Sequence, residues 1–337
     1  MELLERLIKA FGISGNEDDV RDIIQKEIKK YVNDFYIDKV GNLIAHKKGK
    51  SPKVMLAAHM DEIGFMVKGI TNEGNIRCSY LGGFLDMVML GQIVNIKTKK
   101  GKINGVITTK EISNDHEVKE IPKTKDLIVD TGLTRKELID LGVGPGAYLP
   151  LESDFRYLGN KYIISGKALD DRIGCFVLIE LARLLKKVKN EIFYVFTVQE
   201  EVGLYGAKAS AYAINPDWSI VIDVTNANDC NYENATKFLG RGPCLTIKDE
   251  GMIANRKLNE HIIQIAKKNK IPIQLEVSDF GDSDALIISI SRGGVPATVV
   301  CVPVRNLHTP IGIANKDDID NTIKLLQLLF KHPPKIV

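Results

Sequence analysis

The chain has 337 residues, longer than one average domain, and its length predicts two. A hydrophobic fraction of 44% beside 26% charged residues is that of a folded globular protein, which excludes long disorder and fibrous repeats. The 46 basic and 43 acidic residues give a net charge of +3, too balanced to announce a nucleic-acid partner, and no apolar run reaches the roughly 18 residues of a membrane span.

In chain order, the opening MELLERLIKAFG carries acids and no uninterrupted apolar stretch, so it does not read as a signal peptide. Residues 3–10 and 18–31 read as amphipathic helices, broken at Ser14-Gly15-Asn16. A hairpin turn is predicted at 38–42, between FYI and LIAHK. Residues 54–58, VMLAA, follow Pro52 and predict a buried strand ending at His59-Met60-Asp61-Glu62. From about 64 to 165 the texture changes to short alternating strands (FMVKGI, NIRCSYL, QIVNIKT, GKINGVITT, AYLPL) with glycine-rich turns, as in a small β-barrel or sandwich. A short helix at 135–141 is the exception, and residues 111–125 read as a polar loop. The apolar run Phe84, Leu85, Met87, Val88, Met89, Leu90 reads as core of this unit more than as an interface.

After residue 165 an α/β rhythm returns: a helix over 171–189, a strand over 192–198, a helix from about 203 and a strand over 219–223. Further segments lie at 272–277, 284–291, 297–301 and 316–330. Strands separated by helices need crossovers, so the expected fold class is α/β. It is a helix-covered, largely parallel mixed sheet built from residues 1–63 and 165–337, interrupted by an inserted β-barrel or sandwich domain at 64–164. The five cysteines (Cys78, Cys175, Cys230, Cys244, Cys301) are scattered and odd in number, which argues against disulfides and a cysteine zinc site and for a reducing, cytoplasmic interior.

Acidic and histidine residues recur just after apolar strands or at a helix mouth: His59 and Asp61, Asp170 and Asp171, Glu200 and Glu201, Asp223, and His308. In an open α/β sheet the crevice beyond the strands' carboxyl ends is where ligands bind, so these segments are expected to converge. Two histidines with several carboxylates and no cysteine suit divalent zinc, cobalt or manganese. The charge count favours two ions, since three carboxylates and a hydroxide balance four positive charges. Each residue also has a plainer reading. Asp170-Asp171 reads, taken alone, as an N-cap pair, and Glu200-Glu201 as an acidic first turn. Asp223 resists this, because it closes the apolar stretch SIVID, where an unpaired charge is costly. His46, His116, His261 and His332 stand in polar or helical surface contexts and are set aside.

The segments AAHMDEIG, ALDDRIG, TVQEEVGLYGA, IDVT and VRNLHTP, in this order, resemble the tetrahedral (TET-type) aminopeptidases. These are dinuclear metalloaminopeptidases related to glutamyl and deblocking aminopeptidases. The resemblance covers nearly the whole chain, including the β insert and FGDSDAL near residue 284. It implies His59, Asp170 and Asp223 as one metal site and Asp170, Glu201 and His308 as the other, with Asp170 bridging. It implies Glu200 as general base and Asp61 as the carboxylate that orients His59. It further implies peptide substrates, two divalent ions per subunit, and an insert that pairs subunits into dimers and a twelve-subunit tetrahedral shell. Substrate-facing segments near 225–255 and 279–284 vary in the family, so the preferred amino-terminal residue stays open. Three rival readings stand beside this one. A related dinuclear carboxypeptidase or amide deacylase would hold a substrate carboxylate with Arg241, Arg256 or Arg305. A glycosidase would need two carboxylates and no metal. A non-catalytic metal-binding scaffold would have no use for Glu200.

Overall fold

The computed structural model describes residues 1–84, 86–109, 122–230, 233 and 235–335. Leu85, His116 and most of the predicted 111–125 loop lie outside the described residues. The chain opens with α1 (Glu2–Lys9), α2 (Asp18–Ile28), β1 (Asp34–Ile37), β2 (Leu43–Lys47) and β3 (Lys50–His59). There follow β4 (Gly64–Ile70), β5 (Ile76–Leu81), β6 (Ile93–Thr98), β7 (Gly101–Thr109), β8 (Leu127–Asp130), α3 (Arg135–Asp140) and β9 (Tyr148–Pro150). Next come β10 (Arg156–Tyr157), β11 (Ile163–Gly166), α4 (Leu169–Leu184), β12 (Asn190–Thr197), α5 (Tyr205–Ile214) and β13 (Trp218–Asn226). The chain continues through β14 (Cys244–Lys248), α6 (Arg256–Lys268), β15 (Gln274–Val277), α7 (Asp284–Ser289), β16 (Ala297–Arg305), β17 (Gly312–Asn315) and α8 (Lys316–Lys331).

The large sheet runs β1-β2-β12-β3-β13-β16-β17-β11-β10, with β14 and β15 branching from β16. Its centre, β12-β3-β13-β16, is parallel, and antiparallel strands flank it. Successive side chains of a strand face opposite ways, so a strand covered on both faces is apolar throughout. In β3, Val54, Leu56 and Ala58 join the core formed with α1, α2, α4, α6 and α8. Met55 and Ala57 face the other way, toward Ala207 and Ala211 of α5 and Ala285 and Ile288 of α7. Each fully buried Val, Leu or Ile contributes about 1.5–3 kcal/mol of apolar burial, so the continuous run VMLAA anchors β3 more firmly than alternation could.

The second sheet, β6-β7-β8-β5-β4-β9, is antiparallel. Val94 pairs with Leu151, which brings β6 back toward β9 and nearly closes a barrel. Its interior holds Phe65, Val67, Ile96, Val129 and Leu149. Of the apolar run near residue 84, Met89 is buried and Phe84, Val88 and Leu90 pack against this core, while Met87 is 59% exposed.

Three features depart from the sequence reading. The helix expected over 171–189 ends at Leu184, because Lys47 Nζ caps it by donating to the carbonyls of Ala182 (2.9 Å) and Leu185 (2.6 Å). Helix α6 was not predicted, although Leu258, Ile262 and Ile265 follow its buried face and Asn255 Oδ1 accepts the Leu258 N–H as its cap. Strands β8, β10, β11, β14 and β17 also escaped; each has five residues or fewer and exists through its pairing partners.

Candidate active site

Four parallel strands deliver their carboxyl ends to one side of the large sheet. His59 is the last residue of β3, Asp223 lies in the second half of β13, and the turn after β12 carries Glu200 and Glu201. His308 follows β16 by three residues with φ +55°. At the mouth of α4, Asp170 and Asp171 have non-helical backbone angles and are joined by a cis peptide bond. The two aspartates then part. Asp171 Oδ1 accepts the N–H of Gly174 at 2.8 Å, as an N-cap does. Asp170 instead turns outward, with Oδ1 2.9 Å from His59 Nε2 and Oδ2 3.3 Å from His308 Nε2. Glu201 Oε2 lies 3.7 Å from His308 Nε2. Glu200 Oε2 and Asp223 Oδ1 each lie 4.0 Å from His59 Nε2.

Among the described residues, two triads offer ligand atoms that all lie within 4.8 Å of one another: His59, Asp170, Asp223 and Asp170, Glu201, His308. Asp170 is common to both, and its two oxygens face different histidines. His59, Asp170, Glu201, Asp223 and His308 therefore gather here, with Asp61 and Glu200 beside His59, whereas Asp171 caps α4 instead. Of the described histidines set aside, His46 pairs with Asp34 and Glu191, and His261 binds the main-chain oxygen of His332.

The electrostatics of the protein alone are unbalanced. Burial, with Asp170 beside it, pushes Glu201 up to about 8, and the same causes push Asp223 up to about 8. Glu200 is raised well above the ordinary range by burial, then by Asp284, Glu201 and Asp223. Burial opposes a charged His308, yet Asp170 and Glu201 raise it to about 9. His59 is likewise raised, by Glu200, Asp170 and Asp61 against its burial. Crowded carboxylates that hold protons at neutral pH, facing two imidazoles, are a donor set short of positive charge. Two divalent cations shared through Asp170 would fit it.

Asp61 is fully buried and does more than the sequence reading foresaw. The nearest acceptor to His59 Nδ1 is the main-chain oxygen of Asp61 at 3.1 Å, with its carboxylate Oδ1 at 3.6 Å. The carboxylate accepts from the N–H groups of Glu200 (3.0 Å) and Glu201 (3.2 Å) and from Ser14 Oγ (2.6 Å). Behind it, Glu62 is buried between Lys167 (2.6 Å) and Arg172 (3.3 Å), an arrangement invisible in sequence spacing. Asp284, in FGDSDAL, accepts from Thr197 Oγ1 at 2.6 Å, and its other oxygen is buried with no hydrogen-bond partner among the described residues. A cleft adjoins the cluster, bordered by Glu62, Lys167, Asp170, Glu201, His308 and, from the barrel side, Leu151.

Comparison with known proteins adds to this geometry. Residues 41–325 match the M42 glutamyl aminopeptidase family. A putative aminopeptidase of Acetivibrio thermocellus is 39% identical over 96% of this chain and 96% of its own. The lysyl aminopeptidase of Pyrococcus furiosus is 36% identical over 98% of this chain and 96% of its own. The solved structure of the Pyrococcus horikoshii TET1 peptidase, described as assembling into a tetrahedron or a large octahedral shell, superposes with a TM-score of 0.88 at 33% identity. That match covers 98% of each chain.

Proposed function

The chain belongs to the M42 glutamyl aminopeptidase family and is thus a hydrolase of peptide bonds, and from that premise we propose that it removes amino-terminal residues with two divalent ions and Glu200 as general base. The observation that carries this reading is Asp170, whose two oxygens face His59 and His308 separately. In this proposal His59, Asp170 and Asp223 hold one ion, and Asp170, Glu201 and His308 the other. Zinc or cobalt suits the donors best, and manganese is compatible. When bound, the ions would supply a Lewis acid for the scissile carbonyl and lower a water's pKa toward about 7.

Glu200 acts beside them. It stands in neither triad, and burial with like charges around it strengthens its hold on a proton, so once ionised beside the cations it is a stronger base than an ordinary carboxylate. Such a group takes a proton from the attacking water and returns it to the leaving amine. Asp61 holds the Glu200 and Glu201 N–H groups, so the neighbouring side chains can divide their tasks. The surplus of carboxylates also suits a substrate's free α-ammonium.

A carboxypeptidase or deacylase would need a cation for the substrate carboxylate. Arg305 is bound to Asp229 at 2.6 and 2.7 Å, Arg241 stacks on Phe238, and Arg256 lies 3.5 Å from Glu260. These engagements support the aminopeptidase reading. By analogy with the TET1 peptidase, the same proposal has residues 64–164 pairing subunits within a dodecameric shell, in the cytoplasm. A light-scattering mass near one chain's 37.4 kDa would reject the shell.

The test is a panel of aminoacyl chromogenic substrates and peptides with free or acetylated amino termini, run with zinc, cobalt and manganese on wild type and Glu200→Gln. Free termini should be cleaved, acetylated ones spared, and chelator should stop turnover. Glu200→Gln should keep its metal and lose roughly a hundredfold or more in kcat. Cleavage of acetylated peptides, or a Glu200→Gln enzyme near wild-type rate, would refute the assignment.

A further inference from the structure

Strand β12 ends at Thr197, and the four residues that follow carry the two glutamates of the site. Their consecutive main-chain N–H groups are all held by side chains. Val198 donates to Asn42 Oδ1 at 3.0 Å, and Gln199 donates to Glu17 Oε1 at 3.2 Å. Glu200 and Glu201 donate to the two oxygens of Asp61 at 3.0 and 3.2 Å. All three acceptors are buried: Asn42 and Asp61 fully, Glu17 to 4% exposure. Between them sits Gln199 at φ +54°, the left-handed region that non-glycine residues avoid.

The acceptors are themselves tethered. Glu17 Oε1 also takes the N–H of Gly15 at 2.7 Å, and Asn42 Nδ2 donates to the Gly206 carbonyl at 2.8 Å, closing the far side of the same turn. A run of main-chain donors turned inward has no regular partner, so its path depends on where these acceptors stand. A left-handed residue persists only where its surroundings over-determine it.

We propose that Glu17 and Asn42 are positioning residues for peptide hydrolysis: with Asp61 they form a buried clamp that fixes residues 198–201 and aims Glu200 and Glu201 into the site. Their hydrogen bonds to the turn end on Val198 and Gln199, outside both triads. The inference rests on the reading of Glu200 as general base. It separates reach from charge at residue 17. Glu17→Asp keeps an ionisable carboxyl but withdraws its oxygen by one methylene, whereas Glu17→Gln removes the titration and keeps an acceptor at the same reach.

The experiment measures kcat, KM and metal content of wild type, Glu17→Asp and Glu17→Gln with one aminoacyl chromogenic substrate. Glu17→Asp should lose roughly tenfold or more in kcat, with KM within about twofold and metal content unchanged, because a small misplacement of a base is costly. Glu17→Gln should stay within about threefold of wild type. Equal activity in the two variants, the reverse order, or a loss confined to KM or metal content overturns the clamp. If Glu17→Asp gives no cooperative melt, Asn42→Ser, which shortens the acceptor of Val198, is judged by the same split. An inactive metal-loaded wild type would instead defeat the functional reading and the clamp's catalytic role together.

Discussion

Asp170 and Asp171 are neighbours in the chain and opposites in use. One carboxylate caps α4 through Gly174, and the other faces His59 and His308. Taken alone, both residues read as an N-cap pair at a helix mouth, and only the resemblance singled out Asp170 as a ligand. The backbone turn decides between them. Glu17 shows what sequence conceals more fully, since a glutamate before DDVRD reads as an ordinary acidic start to a helix. Its burial, with Asp61 nearby, pushes it from 4.5 up to about 7. The folded protein therefore holds this proton at pH values where the unfolded chain has released it. The stability linked to this group is complete below about 4.5 and is lost as pH rises to about 7, on the order of 3 kcal/mol in all. Glu17→Gln has no proton to lose. Its melting temperature relative to wild type should rise by several degrees between pH 5 and pH 8. A difference that stays level or falls over that range would show that the buried carboxylate is not protonated at low pH as described.

At the scale of elements, long apolar runs were legible because burial on both sheet faces demands them. VMLAA, IFYVFTV and SIVI became β3, β12 and β13, and their order places His59, Glu200 and Asp223 at one edge. The unread strands, two to five residues long, have too few positions to show a period, whereas α6 did carry a helical period at Leu258, Ile262 and Ile265 that went unread. The barrel's reach into the site was also hidden: none of the candidate site residues lies in 64–164, yet Gly82 after β5 abuts Glu201. A Cβ at Gly82 would stand 3.1 Å from Glu201 Oε2 and 2.7 Å from Ile63 Cγ2, at φ +83°. Gly82→Ala combines the left-handed penalty, roughly 1–2 kcal/mol, with a push on Glu201. It should lower metal content and cost roughly tenfold in kcat/KM. Metal analysis and kinetics at wild-type values would mean that Glu201 gives way freely, and that the barrel and the site are mechanically independent.

Across the whole molecule, one sheet gathers residues from positions 59 to 308 while a second sheet, inserted between β3 and β10, is followed by Leu151 on the cleft wall and places Gly82 against Glu201. The parallel centre makes this possible, because every crossover returns the chain to the same edge. That edge collects a charge the fold alone cannot balance: Asp170, Glu200, Glu201 and Asp223, with two imidazoles drawn toward protonation. Two cations sharing Asp170 would balance it. The most direct measurement is metal content per chain by elemental mass spectrometry, for wild type and Asp170→Ala after dialysis against a stated zinc concentration. Two ions per wild-type chain and at most one in Asp170→Ala are predicted. A single ion in wild type, or two retained without the aspartate, would contradict it.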